Sequence, residues 1–237
     1  MNGRVARLAC AAWMLCGAGV LRAQYIEPEQ GLPRDPRAVS LGVLLWDFAP
    51  RSSNPLADSS ALRFSRGAFA AAYSDGFLDV VFAYATYGDA AGTHPAIFVG
   101  ARVSQALPLT ARQPSMLSVL ISLQGDYTKV DAGGPSRSTF NAGTLGLGGA
   151  LRYQTGSRSF QFWVEAGGAA AFAFEAYSTG TGFSPIGLAG AGVQIASAGP
   201  FAGITFAYRF RYQSWSMSND EYDYRSVTHG PSVGILF

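Results

Sequence analysis

Apolar and polar residues alternate with a period of two through most of the chain after residue 37. Between 116 and 128, Leu117, Val119, Ile121, Leu123 and Tyr127 share one parity, while Ser118, Ser122, Gln124 and Asp126 share the other. The stretch 200–217 repeats this, with Ile204, Phe206, Tyr208, Phe210 and Tyr212 opposing Thr205, Arg209, Arg211 and Gln213. In 159–174, Phe160, Phe162, Val164, Phe172 and Phe174 oppose Gln161 and Glu165. Alternation over ten or so residues places one set of side chains on each face of a β-strand. The pattern predicts strands near 37–48, 61–73, 77–87, 96–107, 116–128, 139–154, 159–174, 184–197, 200–217 and 225–237. The second is less regular, and Ser65-Arg66-Gly67 is read there as a bulge. The eighth is rich in small residues that leave its facing open.

The links between these strands alternate in length. Ser74-Asp75-Gly76, Thr155-Gly156-Ser157-Arg158 and Ala198-Gly199-Pro200 carry the residues of tight turns. Ala49–Ser60, Gly88–Pro95, Asp131–Ser138, Ala176–Gly182 and Ser218–Tyr224 are longer and polar, and Leu109–Ser115 is the one longer link expected on the opposite side. Short turns at one end and longer loops at the other fit an up-and-down barrel, with ten strands favoured and eight as the alternative.

Alternation does not say which face meets water. A secreted sandwich or lipocalin-like barrel carries its apolar residues inside. Here one face holds small residues mixed with arginines and carboxylates, and the other ends in aromatics. That inversion predicts an all-β transmembrane barrel, lipid outside and charge within. Tyr73, Phe77, Tyr153, Phe160, Phe162, Phe201 and Phe237 fall near one set of strand ends. Trp46, Phe48, Tyr87, Tyr127, Phe174, Tyr212, Trp215 and Tyr224 fall near the other, and the two sets are expected as interfacial girdles.

Composition sharpens this picture. Charged residues are 14% of the chain, well below the roughly 25% of soluble domains. The segment 1–7 is basic, Leu8 to Leu21 is apolar without charge, and Arg22-Ala23-Gln24 offers a cleavage point after Ala23. Residues 1–23 therefore read as a signal peptide, 24–37 as a proline- and charge-rich periplasmic strap, and 38–237 as the barrel. Cleavage removes Arg4, Arg7 and Arg22, leaving 14 basic against 15 acidic residues. It also removes Cys10 and Cys16, so neither a disulfide nor a lipid anchor is expected. No basic patch argues for nucleic acid. The uncharged stretch 176–208 is broken by Pro185 and Gly199-Pro200, too short for the roughly 20 residues of a spanning helix. Gly187-Leu188-Ala189-Gly190-Ala191-Gly192 has no following helix to make a phosphate loop, and reads as strand.

The polar face supplies a candidate lumen: Arg63, Asp79, Arg102, Asp126, Arg152, Glu165, Arg209 and Arg211. A loop centred near residue 91 sets Asp79 opposite Arg102, and the turn after Thr155 sets Arg152 diagonal to Glu165. These charges either satisfy one another as a polar core or line a narrow path. Arginines outnumber carboxylates five to three, so an open path favours anions.

Catalysis has little to stand on. His94 is placed at a loop tip, and His229 by parity on the lipid face, within reach of Asp220, Glu221 and Asp223. A base beside that acidic cluster is the geometry of a lipid A-modifying enzyme, yet no serine–histidine arrangement accompanies it. The cluster itself reads as a solvated loop tip rather than a calcium site. No catalysis, cofactor or metal is expected.

The chain closes on Gly230, Val233, Ile235 and Phe237, alternating with Pro231, Ser232 and Gly234, and ends on the aromatic. This resembles the C-terminal insertion signal of bacterial outer-membrane barrels. With the signal peptide and the alternation, the whole chain resembles small outer-membrane β-barrel proteins of the kind represented by the OmpX, OmpW and OmpA barrel domains. The resemblance implies insertion by the barrel assembly machinery and contact with outer-membrane lipid and lipopolysaccharide. It also implies a role in envelope integrity, surface interaction or passive transport. A monomer is expected.

Overall fold

The computed structural model describes residues 37–53, 62–89, 92–112, 114–131, 139–157, 159–175, 180–196, 203–218 and 223–237. The expected signal peptide, and all of the strap but Arg37, lie outside them. Ten long strands run in sequence: β1 (Ala38–Pro50), β2 (Phe64–Ser74), β3 (Leu78–Asp89), β4 (Gly92–Arg112), β5 (Ser115–Val130), β6 (Phe140–Gly156), β7 (Phe160–Glu175), β8 (Thr181–Ala196), β9 (Gly203–Ser214) and β11 (Tyr224–Leu236). Between the last two, the two-residue β10 (Ser216–Met217) resumes after Trp215 and pairs with β8.

Each strand pairs antiparallel with its neighbours, and β1 pairs with β11, so the sheet closes without an edge. Closure satisfies every strand's ladder internally, as hydrocarbon requires. The register sets the tilt. From Ala38 the pairing runs through Ser74, Asp79, Arg102, Gln124, Gly146, Ala171 and Ser184, and it returns to β1 through the Tyr224–Pro50 pair. The circuit gains 12 residues, from 38 to 50. For ten strands that stagger corresponds to a tilt of about 40°.

The parity is as read. Ile121 is 55% exposed, Phe206 51% and Val233 49%, all on the outer wall with Leu147 and Phe172. β8 resolves as well: Phe183 and Ile195 face out, while Ser184 and Ile186 are buried inside.

Three local expectations change. Ser65-Arg66-Gly67 holds no bulge, since β1 and β2 stay in one register from Ala38–Ser74 to Phe48–Phe64. The irregularity is instead in β4, between Pro108 and Thr110, where proline has no N–H to give the ladder. Strand β4 also runs further at both ends than its pattern indicated. Gly92 pairs with Asp89 and Arg112 with Ser115, so the links read as Gly88–Pro95 and Leu109–Ser115 are tight hairpins.

The hairpin between β2 and β3 shows why these turns form. The Asp75 side chain accepts the N–H of Leu78 at 2.7 Å and of Phe77 at 3.1 Å, and Gly76 takes φ 78°. An acceptor followed by a left-handed glycine is what a two-strand reversal needs.

Candidate functional site

The barrel interior has two layers, and the lower one, nearer the end that carries both strand termini, is ionic. Asp79 and Arg102 are directly paired in the β3–β4 register, and Arg102 Nη2 donates to Asp79 Oδ2 at 2.7 Å. Arg152 and Glu165 are also directly opposite, not diagonal, and Arg152 Nη2 reaches Glu165 Oε2 at 2.7 Å. Arg102 joins the two pairs by donating across the bore to Glu165 Oε1 at 2.5 Å. On the far side Arg211 donates to Asp126 at 2.5 Å, and Gln213 Nε2 donates to Asp126 at 3.0 Å and Ser184 at 3.3 Å. Charge-assisted, multiply bonded carboxylates of this kind hold a narrow bore rigidly.

Two expected members stand apart. Arg63 is exposed just ahead of β2, between Leu62 and Phe64, which are the residues turned inward; its parity excludes it from this layer. Arg209 does face the lumen and lines its cavity, but makes no ion pair or hydrogen bond among the described residues.

The upper layer is aromatic and departs from the girdle expectation. Trp46, Phe48, Tyr87, Trp215 and Tyr224 are buried inside the barrel. Phe48 and Tyr224 stack at 5.0 Å, Phe64 and Tyr87 at 4.9 Å, and Phe140 and Trp215 meet edge-on at 5.0 Å. Trp46 donates its indole N–H to Ser226 at 2.9 Å. Trp46 and Trp215 are 0% exposed, Phe48 and Phe140 1%. These rings fill the bore across β1, β2, β3, β6, β11 and the Trp215 break. The signal was available: Trp46 and Phe48 share parity with Ser40 and Gly42, not with Leu41 and Val43. Of that expected girdle only Tyr127, Phe174 and Tyr212 have outward parity. The other expected girdle stands on exposed Phe77, Tyr153, Phe160, Phe162 and Phe237, while Phe201 lies outside the described residues.

The layers meet where the Arg211 guanidinium lies 5.0 Å from the centre of the Phe98 ring. Below that contact a cavity of about 200 Å³ reaches down to Ala38, Ser74, Gly76 and Gln194 at the terminal end. It ends upward at Leu44, Asp126 and Thr228, beneath the rings. Of the lumenal side chains, the rings of the upper layer are not among those that line this cavity.

The histidines separate. His94 is no loop tip: it is a buried β4 residue paired with Tyr87, whose ring lies 5.6 Å away. His229 is on the outer wall as expected, its Nδ1 2.6 Å from the Tyr208 hydroxyl and its ring beside Phe210. Asp220 and Glu221 lie outside the described residues. Asp223 is buried, accepts the Met217 N–H at 2.8 Å and the Ser53 hydroxyl, and so anchors the end of β10 against the end of β1.

The closing residues resolve by role. Val233, Ile235 and Phe237 face outward, whereas Gly230 is buried at the β11–β1 seam. A Cβ on Gly230 would stand 2.2 Å from the Val43 carbonyl oxygen.

A closed sheet with an apolar exterior and an ionic interior beneath a layer of packed rings defines a membrane β-barrel. No protein-family model matches the chain, and no curated protein matches it. Among solved structures it is similar to Neisserial surface protein A, at 12% identity over 85% of this chain and 97% of that one, TM-score 0.35. It is similar to Ail, the attachment invasion locus protein of Yersinia pestis, at 11% identity over 86% and 100%, TM-score 0.27. It is also similar to outer membrane phospholipase A of Escherichia coli, at 8% identity over 91% and 96%, TM-score 0.27. The closed antiparallel barrel itself stands on the chain's own strand pairing.

Proposed function

We propose that the mature chain is an integral barrel of the bacterial outer membrane, delivered by its N-terminal signal and inserted by the barrel assembly machinery. We read its lumen as closed and its role as envelope-structural or surface-interacting, without catalysis. The observation that supports this reading is the ring layer: four aromatic side chains at 0–1% exposure are packed together inside the bore. The start of β1 and the end of β11 lie at the mouth of the pocket, and we assign that end to the periplasm.

Contact with lipopolysaccharide has support at the opposite rim. Exposed Arg225 pairs with Ala49, and exposed Arg63 lies one step beyond the Phe48–Phe64 pair, so two arginines flank Ala49. Cationic side chains at the polar boundary suit anionic headgroups.

The alternative is a narrow, anion-favouring channel, and the excess arginine of the lumen is what favours it. Planar bilayer recording decides. Electrical silence supports the closed scaffold, and steady discrete openings establish the channel. Release of acyl chains or modified lipid A by the purified barrel would overturn the non-catalytic reading.

A further inference from the structure

The lumenal pocket has an uneven set of polar groups. Arg102, Arg152 and Arg211 are matched by Asp79, Glu165 and Asp126 through the contacts above, three charges against three. Arg209 is left over, on the cavity wall and without a carboxylate. A second donor there also lacks a partner. Gln124 is 3% exposed, lines the same cavity, and its amide Nε2 has no acceptor. It is the only cavity-lining side chain with such a buried, unmet atom among the described residues. A buried donor without a partner is costly, so a cavity that keeps one is suited to a ligand that accepts. Apart from Gln194, Thr205, Thr228 and three serines, the rest of the wall is small or apolar, with Leu44, Val81 and Leu188 its larger aliphatic members.

Trp163 guards the mouth. Its ring lies on β8, where Cβ atoms on Gly190 and Gly192 would come within 3.1 Å and 2.7 Å of it. Only glycine at those places lets the indole lie flat on the wall instead of crossing the opening. A ring at the entry, an apolar wall and donors inside are ordered as an amphipathic anion would meet them.

We propose that this pocket binds a small monoanionic carboxylate with a compact apolar body, taken up from the terminal end and held by Arg209 and Gln124. One surplus positive charge matches one carboxylate, and a guanidinium presents the fork that carboxylates accept. Occupancy needs only the mouth and not a path through the rings. Binding therefore stands or falls apart from bilayer silence.

The test uses the mature barrel in lipid nanodiscs and follows tryptophan fluorescence during titration with 6-bromohexanoate, against neutral 6-bromohexanol. Bromine quenches on contact, and of the three tryptophans left after signal cleavage only Trp163 lies in the pocket wall. Saturable quenching by the carboxylate is expected, at least tenfold tighter than by the alcohol, and lost in Trp163→Phe. Arg209→Gln should weaken it by tenfold or more, and Gln124→Ala by a smaller factor. Equal quenching by acid and alcohol, a linear response, or unchanged affinity in a folded Arg209→Gln each overturns the proposal. The acid–alcohol comparison needs no variant, so it decides even if Arg209→Gln does not fold.

Discussion

Arg102 and Glu165, 63 residues apart on β4 and β7, meet across the bore at 2.5 Å and tie two neighbouring-strand ion pairs into one network. Glu165 is the shared carboxylate, since it also takes Arg152. Replacing it by glutamine keeps the shape and removes the charge that two guanidiniums face. Breaking a buried pair from one side costs about 3–5 kcal/mol, and the open cavity below places this case near the lower limit. Glu165→Gln should therefore lose about 3 kcal/mol in urea-dependent folding into lipid vesicles. Asp79→Asn should lose less, because Arg102 keeps Glu165.

The ring layer is expected to be the electrical barrier. Phe48 and Phe140 meet at 5.1 Å within the ring layer, each 1% exposed. Truncating a buried aromatic costs about 3–5 kcal/mol, part of it the cavity left behind. On the closed-lumen reading, that cavity would connect the pocket to the far end. Phe48→Ala/Phe140→Ala should turn a silent barrel into one with discrete openings in planar bilayers. The reversal potential under a salt gradient should show anion preference, set by Arg209. Silence from a variant that still migrates as a folded barrel would place the barrier in the ionic layer instead.

How much of this could be read beforehand depended on the range of each contact. Strand identity and facing were legible because period two is a property of one strand alone, as in Leu117 to Tyr127. Asp79–Arg102 was legible too, since a short hairpin fixes the register of its own two strands. Arg102–Glu165 was not, because a contact across the bore depends on strand number and stagger, which only closure defines. Trp46 and Phe48 were misplaced for another reason. Interfacial preference points such rings toward a girdle, but the parity they share with Ser40 and Gly42 turns them inward. Arg63 failed the same way, counted inward by its charge although Phe64 beside it is the inward residue.

Depth should be readable from the outer wall. Leu147 stands mid-strand in β6, 70% exposed, whereas Leu109 lies near the end of β4, 57% exposed. Arginine on the lipid face costs about 2–4 kcal/mol at the bilayer midplane and about 0–1 near an interface. Leu147→Arg should accordingly lose several times more folding free energy in vesicles than Leu109→Arg. Equal losses, or none in both, would mean the wall does not face hydrocarbon.

The β2–β3 turn carries an acid-sensitive latch. Hydrogen bonds from the Leu78 N–H, the Phe77 N–H and the Tyr73 hydroxyl, the first of these foremost, hold the Asp75 carboxyl below the usual carboxylate range. A depressed folded value contributes stability above the unfolded carboxyl pKa of about 3.9, and that contribution disappears as pH falls through the folded value. Wild type should lose hairpin protection below about pH 4, measured as amide exchange at Leu78. Asp75→Asn keeps an acceptor but cannot titrate, so its exchange should be flat over that window.

If the proposed insertion by the assembly machinery holds, the closing strand should separate two kinds of requirement, one for packing and one for handling by that machinery. Gly230 has no room for a side chain, because any Cβ would meet the Val43 carbonyl at 2.2 Å across the β11–β1 seam. Gly230→Ala should then impair closure wherever the barrel folds, including spontaneous folding into vesicles, where no machinery is present. Phe237 is different: its ring is 54% exposed on the outer wall, and its tie to β1 is the backbone N–H donated to Arg37 at 3.0 Å. Phe237→Ala keeps that bond and should fold spontaneously nearly as wild type does. Its defect should appear only in cells, as less barrel reaching the outer membrane. Heat-modifiable gel migration in both settings measures the difference. A Phe237→Ala defect equally large in vesicles would make the terminal aromatic a packing residue, leaving its role as a recognition element without support.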